Sequence, residues 1–361
     1  MRILVLVLLI IFVDSVRADT AEFNATDWTR ELTTTQYLGR DATILFGGPY
    51  ALKDVDLDNG RIEVDIAMHG QRGFVGIVFR YQSSADFELV YLRPHKSLLP
   101  DAIQYAPSFN GLTTWQLYSE GYMAAAEMPH NRWVHFVIEF MGTTARIYMD
   151  DHREPVLTIT DLKHGESSGS VGLWGRNVAH FSNFKYTALD DKTSKAKSKH
   201  GAIDKSPIDK SVLTDWQISQ VYEAAVQPAT EIPDNIRWQD VDVESPGFVN
   251  VSRTHAKLAR ESRTDKTKGK DIIFARTTIK SAANVVRKLR FGYSDEILIY
   301  LNGEPVYEGF SAFGFRYPFA LGILDSKNDA VYLPLRQGDN ELVFAVSEIF
   351  GGWGFMANWQ D

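Results

Sequence analysis

The sequence predicts an all-β protein of two β-sandwich domains joined by a lysine-rich linker. Three observations carry this. Short runs rich in Val, Ile, Phe and Tyr recur along the chain, broken by Gly, Asn or Asp, with almost no helical periodicity. Within several runs apolar and polar residues alternate, as in Arg61-Ile62-Glu63-Val64-Asp65-Ile66, so one face belongs to a core and the other to water. Between residues 190 and 211 this texture stops: the stretch is rich in Lys, Ser and Asp, has no aromatic residue before the next unit begins, and could not bury a core.

The chain opens with Met1-Arg2 and an apolar run from Ile3 to Val13, followed by Ser15-Val16-Arg17-Ala18. This is the pattern of a signal peptide, with cleavage expected after Ala18 and a periplasmic or extracellular destination. The run is shorter than the roughly 20 residues that span a bilayer, so a membrane-spanning protein is not expected. The remaining units are residues 19–189, the linker 190–211 and residues 212–361.

Composition narrows the chemistry. The 361 residues carry a net charge of −8, which disfavours a nucleic-acid partner. There is no cysteine, so each domain must be held by its core, and thiol catalysis and zinc-thiolate sites are excluded. The nine histidines show neither His-x-His nor His-Glu-x-x-His spacing.

In the first unit, further strands are expected at Phe74 to Arg80, Phe87 to Arg93, Trp133 to Glu139 and Ala145 to Met149. Asp58-Asn59-Gly60 reads as a tight hairpin turn. In the second, Ile297 to Leu301 and Glu304 to Tyr307 flank Asn302-Gly303, another hairpin signal, and Ala330 to Leu335 is expected to pair with Glu341 to Val346. Arg253 to Lys270 is a basic run, read as a solvated loop.

The stretches Gly73 to Arg80, Phe87 to His95, Asp101 to Tyr105, Asn110-Gly111, Trp115 to Tyr118, Ser168 to Trp174 and Phe181 to Phe184 resemble the core of concanavalin A-like lectin/glucanase jelly rolls. That group includes lectins, glucanases, laminin-G-like modules and the keto-disaccharide hydrolase-like family, so the resemblance implies a jelly-roll sandwich more than one activity. Tyr293-Ser294-Asp295, Leu301-Asn302-Gly303 and Leu335 to Leu342 resemble the galactose-binding-like jelly roll, a frequent companion of glycan-active enzymes. The implied partner is a polysaccharide or glycoconjugate, with no cofactor beyond a structural calcium that such jelly rolls often carry.

Several constellations invite a chemical reading. Glu63-Val64-Asp65 resembles part of a glucanase carboxylate motif, but Ala67 and Met68 stand where the third carboxylate belongs. Gly165-Glu166-Ser167-Ser168-Gly169 has the spacing of a nucleophile elbow in a context of β runs, where a turn is the simpler reading. Asp54, Asp56 and Asp58 fail the positions of a calcium loop. Phe350-Gly351-Gly352-Trp353-Gly354-Phe355 either presents an indole to a ligand or closes the sandwich.

The expected ligand-binding group is Arg80, Glu88, Tyr91, Arg93, His95, Gln104, Trp115 and Gln116, on the concave face of the first sandwich. Aromatic faces receive the C–H side of a pyranose, and Arg, Gln and Glu pair with hydroxyls. The competing reading makes Trp115 and Tyr118 core aromatics and Arg80 with Glu88 an ion pair across strands. The expected function is non-catalytic glycan binding by an exported bacterial protein. Alternatives are a hydrolase or lyase of the keto-disaccharide hydrolase-like kind and a structural or protein-binding laminin-G-like module.

Overall fold

A computed structural model describes residues 19–20, 27–150, 153–189, 207–224, 227–258, 270–318 and 320–360. The signal-peptide reading, most of the lysine-rich linker and the centre of the basic run fall outside these residues.

The first unit is one antiparallel hydrogen-bonded sheet folded over its own core. Its strands run in the order Met123–Ala124, Ile103–Tyr105, Glu88–Leu92, Val75–Tyr81, Ser170–Ala188, Gly60–Met68, Trp133–Met141, Thr144–Met149 and Leu157–Ile159, and Arg40–Ala51 with Thr33–Tyr37 also joins at Ser170–Ala188. Ser170–Ala188 is the fold line. Its first half pairs with Val75–Tyr81 and its second with Gly60–Met68, with register shifts near Ser170, Trp174, Arg176 and Ser182. Such bulges bend a strand and sharpen its twist. Residues from both halves, among them Ile62, Val64, Ile77, Phe79, Phe136, Ile138 and Phe181, then meet in one core.

The second unit is a sandwich of two antiparallel sheets. One orders Gln239–Val241, Trp216–Ile218, Asp271–Ser281, Gly338–Glu348, Glu296–Leu301 and Glu304–Phe310; the other orders Phe248–Asn250, Gly354–Gln360, Val285–Ser294 and Asp329–Leu335. Between them pack Trp216, Ile273, Phe291, Ile299, Phe344, Trp353 and Phe355.

Two expected turns differ. Asn302 and Gly303 adopt the positive φ values, 53° and 86°, that their hairpin requires. Asn59 and Gly60 do not: Gly60 opens a long strand, and Asn59 is buried with its side-chain oxygen accepting from Gly142 N at 2.8 Å. Asp329–Leu335 and Gly338–Glu348 follow one another but lie in different sheets, so the short segment between them crosses the sandwich instead of closing a hairpin.

The segment from Ala106 to Tyr118 leaves the first unit and packs against the second. Phe109, Leu117 and Tyr118 share a cluster with Phe248 and Leu324. Behind them Tyr118 donates to Glu244 at 2.9 Å, Asn250 Nδ2 donates to the Tyr118 oxygen at 2.9 Å, and Arg253 pairs with Glu244 while donating to Lys163 O at 2.8 Å. Burial works against the Arg253 guanidinium, but the Glu244 carboxylate outweighs it and raises its pKa. Gly351 and Gly352, at φ 106° and 117°, admit this approach: a Cβ on Gly351 would lie 2.1 Å from Gln116 Oε1.

Candidate functional site

The structure places most of the expected binding group inside the protein. Arg80 is 1% exposed and donates to the carbonyls of Asp58 (2.8 Å), Gly142 (2.5 Å) and Gly165. Simple alternation would set it beside Val78, but its φ of 46° and the register shift opposite it turn the guanidinium toward Phe140 at the end of the core. Burial pushes its pKa down. Glu88, fully buried, accepts from the Tyr105 hydroxyl at 2.6 Å and from His164 N at 3.0 Å. The two therefore form neither an open polar floor nor a direct ion pair.

Tyr91, Arg93 and Gln104 do meet, but as a buried strut. Arg93 donates to Gln104 Oε1 at 2.5 Å, to the Tyr91 oxygen at 2.8 Å and to Asp101 Oδ2 at 3.0 Å. Gln104 Nε2 donates onward to Trp115 O and Tyr118 O, fastening the segment that docks on the second unit. Gln116 lies in the seam, donating to Leu321 O at 2.9 Å and accepting from Ser294 Oγ at 3.1 Å. Trp115 is half-buried beside Phe313 and Phe350, each about 6.0 Å away between ring centres. His95 is half-exposed, its ring set edge-on to Phe74, and burial with the Arg72 charge lowers its pKa. The face expected to be open is covered because Val78, Leu89 and Tyr91 on its outer side form a second apolar layer with Phe74, Trp115 and Trp174.

Trp353 is fully buried and donates to Val346 O, so it closes the sandwich. Gly165 to Gly169 lies between two strands, the context of a turn.

Exposed polar and aromatic groups instead converge on the outer face of Ser170–Ala188, Gly60–Met68 and Trp133–Met141. Register aligns three rows: His180, Ala67 and Trp133; Ser182, Asp65 and His135; then Lys185, Glu63 and Val137. At one end Tyr37 stacks on His180 with ring centres 3.8 Å apart and sits edge-on to Trp133 at 6.1 Å, so its ring lies across the small Ala67. His69 Nε2 and His180 Nδ1 share a hydrogen bond of 2.8 Å, and burial lowers the pKa of both rings.

Along the same face runs a chain of alternating charge. Arg40 pairs with Asp65 and lies over Trp133, 5.2 Å from its centre. His135 Nδ1 donates to Asp65 Oδ1 at 2.8 Å, and its Nε2 stands 3.6 Å from Glu63. Glu63 accepts from Arg61 at 2.7 Å, and Arg61 reaches Glu139. Asn183, turned to φ 54° at a bulge, adds a bond to Asp65 of 2.7 Å. Burial pushes the Asp65 carboxyl up, but hydrogen bonds from His135 and Asn183 and the charges of His135 and Arg40 hold it below its ordinary value. The bond to Asp65 raises His135 against the opposing effect of burial.

This arrangement suits holding a ligand more than moving a proton. A retaining glycosidase needs one ionised carboxylate and one that carries a proton. Here Asp65 is held ionised by three donors, and Glu63 is clasped by Arg61. Sequence reasoning marked Glu63, Asp65 and the strand from Trp133 but missed Tyr37, Arg40, His69, His135, His180 and Asn183. Extending the period of two from Trp133 to His135 would have exposed that strand's share.

No family model matches the chain, and no curated protein does. Among solved structures, the carbohydrate-binding module CBM66 from Bacillus subtilis aligns at 18% identity and a TM-score of 0.36, covering 46% of this chain and 98% of its own. The Ca2+/Man3GlcNAc-bound exoplasmic/lumenal domain of VIP36 aligns at 12% identity and a TM-score of 0.36, covering 50% of this chain and 93% of its own. At these values neither carries an argument for function.

Proposed function

We propose that this is an exported glycan-binding protein that holds a polysaccharide or glycoconjugate along the outer face of its first sandwich. Tyr37 and Trp133 form the aromatic end, and Arg40, Asp65, His135, Glu63, Arg61 and Glu139 form the polar floor. The carrying observation is the adjacency of half-exposed rings and planar charged groups on one sheet face. Rings take the C–H side of a pyranose, while carboxylates and guanidinium groups pair with hydroxyls in fixed geometry. From Ala67 to Arg61 the floor extends about 20 Å at the usual rise of a strand, room for more than one sugar ring. The resemblance to concanavalin A-like and galactose-binding-like jelly rolls is in keeping with this reading.

A glycan array on the full chain tests it, followed by titration of Trp133→Ala and Tyr37→Ala with the best ligand. Loss of an aromatic anchor should weaken binding by about 1–3 kcal/mol, with the melting curve little changed because both rings are partly solvent-exposed. Wild-type affinity in both folded variants, or no bound glycan at all, would overturn the assignment. Release of a cleaved product would move it to the hydrolase reading.

A further inference from the structure

The second unit carries a different surface on the exposed side of its smaller sheet. On Val285–Ser294, Lys288 and Arg290 point outward; Asp329–Leu335 sets Tyr332 opposite Lys288 and Ala330 opposite Arg290, while Gly354–Gln360 sets Gln360 and Asn358 on the other side. Tyr332 is 65% exposed, more than any other aromatic side chain among the described residues. Lys288 Nζ lies 5.6 Å from its ring centre. Arg290 Nε donates to Gln360 Oε1 at 2.6 Å, a bond that does not occupy its two terminal nitrogens. Ala330, exposed and small, leaves an open shelf between the Tyr332 ring and Arg290.

Charge is what distinguishes this shelf from the face of the first unit. There, Arg40, Arg61 and His135 are each matched by a carboxylate. Here two cationic side chains leave one strand about 7 Å apart, two residues along it, and among the described residues neither is in an ion pair. Among the described residues, Asp329 pairs with Arg316, and Asp325 lies on the loop that packs over Gly292, the next residue along this face. A cationic shelf in a chain of net charge −8 is complementary to an anion, and the adjoining ring to a sugar.

We propose that this shelf binds an acidic glycan, the Tyr332 ring taking the C–H face of a sugar while Lys288 and Arg290 pair with its carboxylate or sulfate. It is a second site, separate from the first unit's face. The test is calorimetric titration of the full chain with oligogalacturonate, a sulfated galactan oligomer, the matched neutral galactan oligomer and duplex DNA. At least one acidic glycan should bind in a salt-sensitive manner, and the preferred arm tells carboxylate from sulfate. Lys288→Gln with Arg290→Gln should weaken that binding by roughly tenfold or more, and Tyr332→Ala by roughly fivefold or more. Trp133→Ala should leave it unchanged. The proposal fails if neither acidic glycan binds, if binding survives the double substitution, or if DNA binds as well and Tyr332→Ala has no effect. Acidic-glycan binding that Trp133→Ala abolishes would belong to the first face, sinking this site while sparing the first; neutral-glycan binding, tested in parallel, reports on the first face alone.

Discussion

His135 is the one link in the charge chain of the first unit whose proton is exchanged near neutrality. Its bond to Asp65 raises its pKa above the ordinary 6.5, so the stabilisation it brings is complete below 6.5 and is lost as pH rises through the raised value. Asp65 lies below its ordinary 3.8, so its share is present above 3.8 and is lost as pH falls through the lowered value. The face is therefore best assembled in mildly acidic solution. A proton NMR titration should find His135 above 6.5 in the wild-type chain and lower in Asp65→Asn, and equal values in the two proteins would refute the coupling. The sequence exposed the chemistry of residues such as Arg93 and Gln104 but not their surroundings. Tyr91, Arg93 and Gln104 are polar and close in sequence whether they face a ligand or fasten a loop. Only the docking of a segment more than a hundred residues from its partners decides between the two.

At the level of elements, periodicity located Gly60–Met68, Val75–Tyr81, Trp133–Met141 and Thr144–Met149, because a half-buried strand must alternate, and it passed over Arg40–Ala51, Asp271–Ser281 and Val285–Ser294. It failed where the backbone left the pleat. Positive φ at Arg80 reverses the expected face, and the crossing between Leu335 and Gly338 looks locally like a hairpin although its strands belong to different sheets. The segment from Ala106 to Tyr118 is the element with the largest consequence, since it carries Gln116 into the second unit. There the side chain satisfies Leu321 O and Ser294 Oγ, while its backbone bonds to Gly351 O and Leu324 N at 2.9 Å each. Truncation in Gln116→Ala removes that partner from Leu321 O and leaves Ser294 Oγ with only Asp295 Oδ1 at 3.3 Å, at a cost of about 1–3 kcal/mol. Thermal or urea unfolding should show that loss; an unchanged midpoint would mean the seam contributes little to stability.

For the whole molecule, the two sandwiches are joined by more than a connecting chain. Tyr118, Glu244, Asn250 and Arg253 form a buried polar network across them, and Asn110 donates to Ser252 O at 2.8 Å and Arg253 O at 3.0 Å. Removing one member of such a network strands a buried charge or polar group. The lysine-rich residues 190–211 should offer trypsin its preferred sites, yet the two products should stay together in native gel filtration and part only in denaturant. Separate elution of the fragments under native conditions would show that the seam is weak. Composition led to an expected boundary at 190–211, because that stretch differs from its flanks in kind. It gave no sign of the seam, whose residues are individually unremarkable and scattered from Asn110 to Phe350.

The strand Ser170–Ala188 also orders events during synthesis. It is hydrogen-bonded to Arg40–Ala51, Gly60–Met68 and Val75–Tyr81, all made earlier, and it is the piece that closes the first sandwich. Until it leaves the ribosome, those strands have exposed edges and an unfinished core, the state in which chains pair wrongly with their neighbours. The segment from Ala106 to Tyr118 waits longer still, since its partners Leu324 and Gly351 are made well after the first sandwich is complete. A chain stopped before residue 170 should aggregate, one stopped after 189 should hold a closed first sandwich with an uncovered apolar patch at Phe109, Leu117 and Tyr118, and only a chain that extends past Gly351 can cover it.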